Sequence, residues 1–301
     1  MKTYIKILLL SLFIIIYFNI PAAAIEETGF SNAYFCDDTN CTNLYLNLIN
    51  ESTDVACAFY ELEQPKIIET LQTKNATVLI HDENHNGFGT PIRSQGLMHH
   101  KFCVLNNEII ITGSYNLIKN QHLDNIIIKQ SPTLAKNYKK EIERLQGKQV
   151  TQTTKINHNS HQLQNYFCKI HDCQQKILNE IKQARKNIYF LTFTFTDNEI
   201  ANKIIKKQNE GITVLGIIEN FQNKQYWVQP LFEQANTNVT IHSKPYFQHN
   251  KVIIIDNTTI TGSYNPTKAA NTINDENILI ITDPNITKKY KQKFYNIKNY
   301  K

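Results

Sequence analysis

The sequence predicts an α/β protein of two similar halves packed around a pseudo-two-fold axis, with the functional cleft between them. Three observations carry this. A Tyr-Phe-Cys-x4-Cys segment occurs twice, at 34–41 and 166–173. After each copy, β-branched and aromatic runs alternate with helical stretches in the same order, the mark of α/β units with buried sheets. A compound His-x-Lys…Gly-Ser-Tyr-Asn pattern then occurs once per half, in register. The 301 residues, 41% hydrophobic and 19% charged, exclude disorder and leave room for two domains of ordinary size.

Taken in order, residues 1–24 read as an export signal. Lys2 and Lys6 precede an apolar run, and Ala22-Ala23-Ala24 supplies a small-residue cleavage site. Cleavage leaves an exported protein, periplasmic or extracellular; an uncleaved segment would instead anchor the chain to a membrane. Residues 25–150 form the first half and 151–301 the second, joined by the polar stretch 147–160, which lacks apolar periodicity and reads as a linker.

All six cysteines follow the signal, and an even number in an exported chain favours disulfides. Cys36 with Cys41 and Cys168 with Cys173 read as two local bridges, with a shared four-thiolate zinc site as the alternative. Cys57 and Cys103 lie in apolar runs and read as small buried hydrophobes rather than a third bridge. Within each half a strand, a helix and a second strand follow. The segment Thr77-Val78-Leu79-x3-Glu83-Asn84 matches Thr213-Val214-Leu215-x3-Glu219-Asn220. Each half closes on a capped helix with Pro at its first position, starting at Ser131-Pro132 and Asp283-Pro284. Leu134, Tyr138, Ile142 and Leu145 share one face of the first of these helices. Ile286, Tyr290, Phe294 and Ile297 share one face of the second.

The chemistry sits between these elements. The first half reads His99-His100-Lys101, four residues, Asn106, six residues, Gly113-Ser114-Tyr115-Asn116. The second reads His249-Asn250-Lys251, four residues, Asp256, five residues, Gly262-Ser263-Tyr264-Asn265. On a strand, residues i and i+2 share a face, so each His projects beside its Lys. The Gly-Ser-x-Asn turn brings an uncrowded backbone, a hydroxyl and an amide, donors suited to phosphate oxygens. Two copies brought together surround one anion with two imidazoles and two ammonium groups, which points to phosphodiester chemistry.

This paired signature resembles that of the phospholipase D superfamily over nearly the whole chain after the signal. The resemblance implies a two-step mechanism needing neither metal nor cofactor, with His99 as nucleophile and His249 as acid/base through a phosphohistidine. Lys101 and Lys251 would stabilise charge on the phosphoryl oxygens, and Ser114, Asn116, Ser263 and Asn265 would hold that group. The family places a carboxylate downstream to orient each histidine; Glu276 fits that role for the second motif and Asp124 for the first. Asn106 stands where the family has Asp, as at Asp256, and both read as structural. With both motifs in one chain, a monomer suffices.

The remaining candidates have plainer readings. His100 faces away from the motif as a structural or surface residue, and His81 and His85 fall in a solvated loop. Arg93, the segment Lys244-Pro245-Tyr246-Phe247 and Trp227 are candidates for the cleft rim. The superfamily core serves both nucleases and phospholipases, so motif alone does not choose the substrate. Removal of Lys2 and Lys6 with the signal would lower the net charge from +6 to +4, compatible with either. Nucleic acid is expected first and phospholipid second, with a non-catalytic polyanion-binding module as the third reading.

Overall fold

The computed structural model describes residues 24–119, 122–220, 227–243 and 246–299. The export signal lies outside the described residues except for Ala24, as do Lys244 and Pro245.

Two sheets form the frame. The first-half sheet contains β2 (Ser31–Phe35), β3 (Val55–Phe59), β4 (Thr77–His81), β5 (Thr90–Ile92), β6 (Lys101–Leu105), β7 (Ile109–Gly113) and β8 (Asn125–Gln130), in the order β2-β8-β7-β6-β3-β4-β5. The other sheet contains β1 (Ile25–Glu27), β9 (Lys155–His158), β10 (His161–Phe167), β11 (Asn187–Thr192), β12 (Thr213–Glu219), β13 (Asn238–His242), β14 (Lys251–Ile255), β15 (Thr258–Gly262) and β16 (Asn277–Ile281). From β10 onward its order, β10-β16-β15-β14-β11-β12-β13, repeats that of the first sheet strand for strand. The chain is therefore the duplicated α/β fold its sequence predicts.

Every position of β3, β6, β14 and β16 is buried, because both faces of each sheet are covered. Helices α1 (Cys41–Asn50) and α2 (Pro65–Thr73) cover the outer face of the first sheet. On the second, α4 (Cys173–Gln183), α5 (Asn198–Asn209) and α6 (Gln229–Gln234) do the same. Between the sheets lie α3 (Pro132–Leu145) and α8 (Pro284–Lys298), capped by Ser131 and Asp283. Each packs on its own half's sheet and also touches the other half: Tyr138 of α3 packs edge-on to Phe102 of β6 at 4.8 Å and to Phe167 of β10 at 5.0 Å, and Tyr290 of α8 to Phe35 of β2 at 5.2 Å. A short helix, α7 (Lys268–Thr272), precedes β16. Among the described residues no helix is long and apolar enough to cross a membrane.

Four details depart from expectation. The stretch 147–160 contains β9, which turns into β10 through Asn159 and Ser160 at φ 52° and 63°, the left-handed pair of a two-residue hairpin turn. Ile25–Glu27, counted with the first half, adds in parallel to β9 in the second sheet. Cys57 and Cys103 are bonded, a third disulfide beside Cys36–Cys41 and Cys168–Cys173. They face each other across β3 and β6, so residues that look merely apolar in sequence become cross-strand partners once the strands pair. Trp227 packs partly buried against the second-half core rather than lying free at a rim.

The unequal motif spacing also finds its cause. Between β6 and β7 the hairpin turn has three residues, Asn106, Asn107 and Glu108; between β14 and β15 it has two, Asp256 and Asn257. Asn106 and Asp256 both sit at φ 51° and cap the turn before the first central strand of their half. Asn106 Oδ1 accepts from the N–H groups of Thr53 and Asp54. The Asp256 carboxylate accepts from those of Arg185, Lys186 and Asn187. Asn106 thus does the work of its Asp counterpart, away from the cleft.

Candidate active site

The strands that begin with Lys101 and Lys251 start two residues after His99 and His249, where the two sheets approach each other. Backbone pairing crosses between the halves at this point. The His99 N–H donates to the Asp275 carbonyl at 2.9 Å, and the His249 N–H to the Leu123 carbonyl at 3.0 Å. Each histidine is thereby laid beside the segment that carries the other half's carboxylate.

The expected pairing of carboxylate and histidine within each half is therefore corrected: the pairs are crossed. His99 Nδ1 lies 2.9 Å from Glu276, and His249 Nδ1 lies 2.8 Å from Asp124. The serines support these carboxylates instead of facing the cleft. Buried Ser114 Oγ donates to Asp124 at 2.6 Å and buried Ser263 Oγ to Glu276 at 2.6 Å, and each accepts the N–H of the next residue, Asn125 or Asn277. Gly113 and Gly262 are required by the same packing, since a Cβ on either would stand 2.2 Å from the carbonyl oxygen of Asn125 or Asn277.

Lys101 Nζ donates to the His99 carbonyl at 2.8 Å, and Lys251 Nζ to that of His249 at 2.6 Å. They lie over the rings of Tyr60 and Phe193, at 4.9 and 5.2 Å, and the same two rings contact His99 and His249, each at 4.8 Å. Tyr60 and Phe193 directly follow the strands β3 and β11. Their matched place in the two halves was the available sequence signal, and it had not marked them.

Two further residues were missed or misread. His81 is buried on β4, not in a solvated loop; its Nδ1 accepts the Met98 N–H at 3.3 Å, and its ring stacks on Tyr60. In the second half Glu219 accepts the N–H of Gln248, the residue before His249, at 2.6 Å. His81 therefore corresponds to Glu219, two residues away from the match of Glu83 with Glu219 suggested by the sequence. His100 is structural and fully buried, bonded to Glu141 at 2.9 Å. Arg144 carries that network on to Asp275 beside Glu276. His85 bonds the Gly89 carbonyl, and Arg93 is exposed. Tyr246 and Phe247 are exposed, and the ring of Phe247 contacts His122, which in turn contacts His249.

Electrostatics joins the halves into one site. Burial lowers the pKa of His99 well below the usual imidazole value, helped by Lys101 and Lys251; His249 is brought to about 3 by burial and Lys251. Both shifts favour the neutral imidazole. Burial likewise lowers Lys101 to about 8 and Lys251 well below the ordinary lysine value. The carboxylates diverge. Burial raises Glu276 to about 7, whereas for Asp124 the burial penalty is outweighed by His249, Lys251 and Ser114, which together lower its pKa. Among the described residues His122, Asp124 and His249 have ligand atoms within 4.8 Å of one another, and Asp124 and His249 are hydrogen-bonded to each other.

A family model described as cardiolipin synthase, PLD-like domain, matches residues 40–146 and 177–298. The chain belongs to the phospholipase D superfamily. Among superfamily relatives, phospholipase D of Rickettsia typhi is 34% identical over 129 residues, 42% of this chain and 63% of the relative. A mitochondrial cardiolipin hydrolase of Chlamydomonas reinhardtii is 29% identical over 121 residues, 40% of this chain and 54% of the relative. The chain thus spans less than two thirds of the length of these curated relatives. The solved phosphatidylserine synthase of Haemophilus influenzae superposes over 88% of this chain and 85% of its own with a TM-score of 0.65 at 14% identity, a likeness of fold.

Proposed function

We propose that the protein is a phosphodiesterase that works through a phosphohistidine. The observation that carries this is the crossed arrangement of two histidines, each with Nδ1 held by a carboxylate and a lysine two residues on. His99 Nε2 attacks phosphorus, the P–N bond forms, and the P–O bond to the leaving alcohol breaks. His249, protonated once the anionic diester is bound, gives its proton to that oxygen. In the second step it takes a proton from water as the water oxygen attacks phosphorus and the P–N bond breaks. Lys101 and Lys251 offset the charge on the phosphoryl oxygens, a role suited to ammonium groups in a dry site. Ser114 and Ser263 act one step back, by holding Asp124 and Glu276.

For substrate class we place phospholipid ahead of nucleic acid, reversing the order drawn from sequence. Two things support this: the names of the relatives, phospholipase D and cardiolipin hydrolase, and a carboxylate, Glu61, bonded to Asn116 of the first motif. A fixed acid there works against a polyanionic strand and is compatible with a headgroup. The nuclease reading draws support from exposed Tyr246 and Phe247, which could stack bases. Three disulfides with no free cysteine among the described residues are compatible with export.

The deciding experiment offers the protein labelled phospholipid vesicles and labelled single-stranded DNA in excess EDTA, with His249→Ala alongside. Headgroup release that the variant abolishes is the expected result. Cleavage of DNA alone would establish the nuclease instead. Turnover that survives in the variant, or that EDTA removes, would sink the mechanism.

A further inference from the structure

The two halves support their histidines unequally from behind. Asp124 corresponds to Glu276, so the residues before them, Leu123 and Asp275, correspond as well. The backbone acts alike on both sides. The Leu123 carbonyl accepts the His249 N–H at 3.0 Å, and the Leu123 N–H donates to the Phe247 carbonyl at 2.8 Å. The Asp275 carbonyl accepts the His99 N–H at 2.9 Å, and the Asp275 N–H donates to the Leu97 carbonyl at 2.8 Å. The side chains differ. Leu123 is apolar, whereas the buried Asp275 carboxylate accepts from Arg144 Nη2 at 2.5 Å and from Ser94 Oγ at 2.5 Å. Arg144 also forks onto Glu141, through Nε at 2.9 Å and Nη2 at 2.7 Å. Fully buried Glu141 holds the ring of His100 at 2.9 Å. The chain from His100 through Glu141 and Arg144 to Asp275 thus begins one residue after His99 and ends one residue before Glu276. Tyr138 of α3 corresponds to Tyr290 of α8, so Glu141 and Arg144 are matched by Lys293 and Asn296. Lys293 pairs with Asp37 and Asp38 instead, and leaves Leu123 without an ionic tie.

We infer that Arg144 and Asp275 are positioning residues for His99: a brace from α3 of the first half to the chain just before Glu276 of the second, which fixes the His99–Glu276 pair for attack on phosphorus. A planar guanidinium between two carboxylates sets direction as well as distance, since each fork admits few orientations. Asp275 passes that constraint on twice, through its carbonyl to the His99 N–H and along the chain to Glu276. The unequal support matches an unequal demand. A nucleophile has to meet phosphorus in line at a fixed separation, and a misplacement of about 1 Å costs on the order of 10²-fold in rate. A proton donor passes its proton to a leaving oxygen and later takes one from water, partners that can adjust. The stiffer mounting therefore belongs to His99, and His249 is left with the apolar Leu123 behind it.

This inference rests on the phosphohistidine reading, and the test separates the two. Full-length Arg144→Ala is compared with wild type on a p-nitrophenyl phosphodiester, with Asn296→Ala as the matched control in the other half. In Arg144→Ala, kcat should fall about 30-fold while KM changes by no more than about twofold, and Asn296→Ala should leave both unchanged. Guanidinium ion at millimolar concentration should restore part of the lost turnover, and sodium chloride at equal ionic strength should not. Ser94→Ala, which removes one donor and keeps the ion pair, gives a smaller loss in the same sense and serves where Arg144→Ala does not fold. Independently of turnover, NMR should show the His99 ring signals moved in the Arg144 or Ser94 variant and those of His249 in place. Unmoved His99 signals, equal movement of both histidines, or an unchanged kcat would overturn the brace and leave the phosphohistidine reading standing. A wild-type protein that turns over no diester, with His99 alone displaced in the variant, would sink that reading and keep the brace as a structural tie.

Discussion

Where β3 meets β6, Cys57 and Cys103 face each other and are bonded; where β11 meets β14, the same two positions hold Phe190 and Ile253. Phe190 packs on Phe195 and Phe232, the latter from α6 in the insertion that the first half lacks. One copy ties its two central strands covalently, and the other fills the same place with aromatic bulk. The chemistry-bearing positions around them repeat almost unchanged: histidine, lysine, serine, asparagine and an acid. The scaffold has alternatives and the site has few. The halves part again behind the histidines, where Asp275, tied to Arg144, stands against Leu123.

The strongest way to break the pairing of roles is to remove each histidine in turn. His99→Ala and His249→Ala should each reduce turnover by about 10⁴-fold or more. They should differ on a diester with a p-nitrophenyl leaving group, which needs little protonation. His249→Ala should then give a stoichiometric burst and an alkali-stable phosphohistidine, and His99→Ala neither. The opposite pattern would exchange nucleophile and acid.

The crossed carboxylates come next. Asp124→Asn and Glu276→Gln should each cost roughly 10²- to 10³-fold in kcat. In NMR spectra Asp124→Asn should move the His249 ring signals more than those of His99, with Glu276→Gln doing the reverse. The two also differ in pH response. Glu276 is raised from 4.5 to about 7, so the folded protein keeps a proton the unfolded chain has already lost, and this group's contribution to stability declines as pH rises through that window. The melting temperature of wild type relative to Glu276→Gln should therefore fall by a few degrees between pH 4.5 and 7. A flat difference would place the raised carboxyl elsewhere.

Smaller effects test the scaffold. Cys57–Cys103 closes a 46-residue separation and Cys36–Cys41 one of 5, so replacing both cysteines of a bridge should cost about 4 kcal/mol for the first and about 2 kcal/mol for the second, read by urea unfolding. Equal losses would mean that local packing, rather than loop closure, sets the difference between the halves. The smallest effect belongs to Asn106→Asp. Since Asn106 caps a turn as Asp256 does, stability should change by no more than about 0.5 kcal/mol, and turnover should persist. A large gain in activity would show that the first motif is held back at that position.

Much of this was legible in the sequence, and for identifiable reasons. Each His-x-Lys pair projects together because strand geometry is local, and the Pro-initiated helices α3 and α8 announce themselves by caps and periodicity. The two Cys-x4-Cys bridges are local as well. What escaped depends on packing between distant segments. The sequence points to Asp124 and Glu276, but which histidine each meets is decided by the backbone pairing of Leu123 with the His249 segment and of Asp275 with the His99 segment. Cys57 and Cys103 looked like core because they are core. His81 was hidden by a two-residue slip: β12 runs seven residues where β4 runs five, so the matching letters Glu83 and Glu219 are not matching positions. The turn at Asn159-Ser160 lacks the glycine that usually advertises a two-residue hairpin.

The crossing has a consequence for how such a chain can change over generations. After a duplication, one copy is ordinarily free to drift while the other preserves the activity. Here neither is, because each copy's acid serves its sibling's histidine, and an injury to either is felt in both. Divergence is left to the surroundings, such as a bridge in one copy, an inserted helix in the other and a carboxylate exchanged for a leucine behind one histidine. The molecule behaves like a two-key lock cast in one piece, in which the keys cannot wear independently but the casing around each can be reshaped.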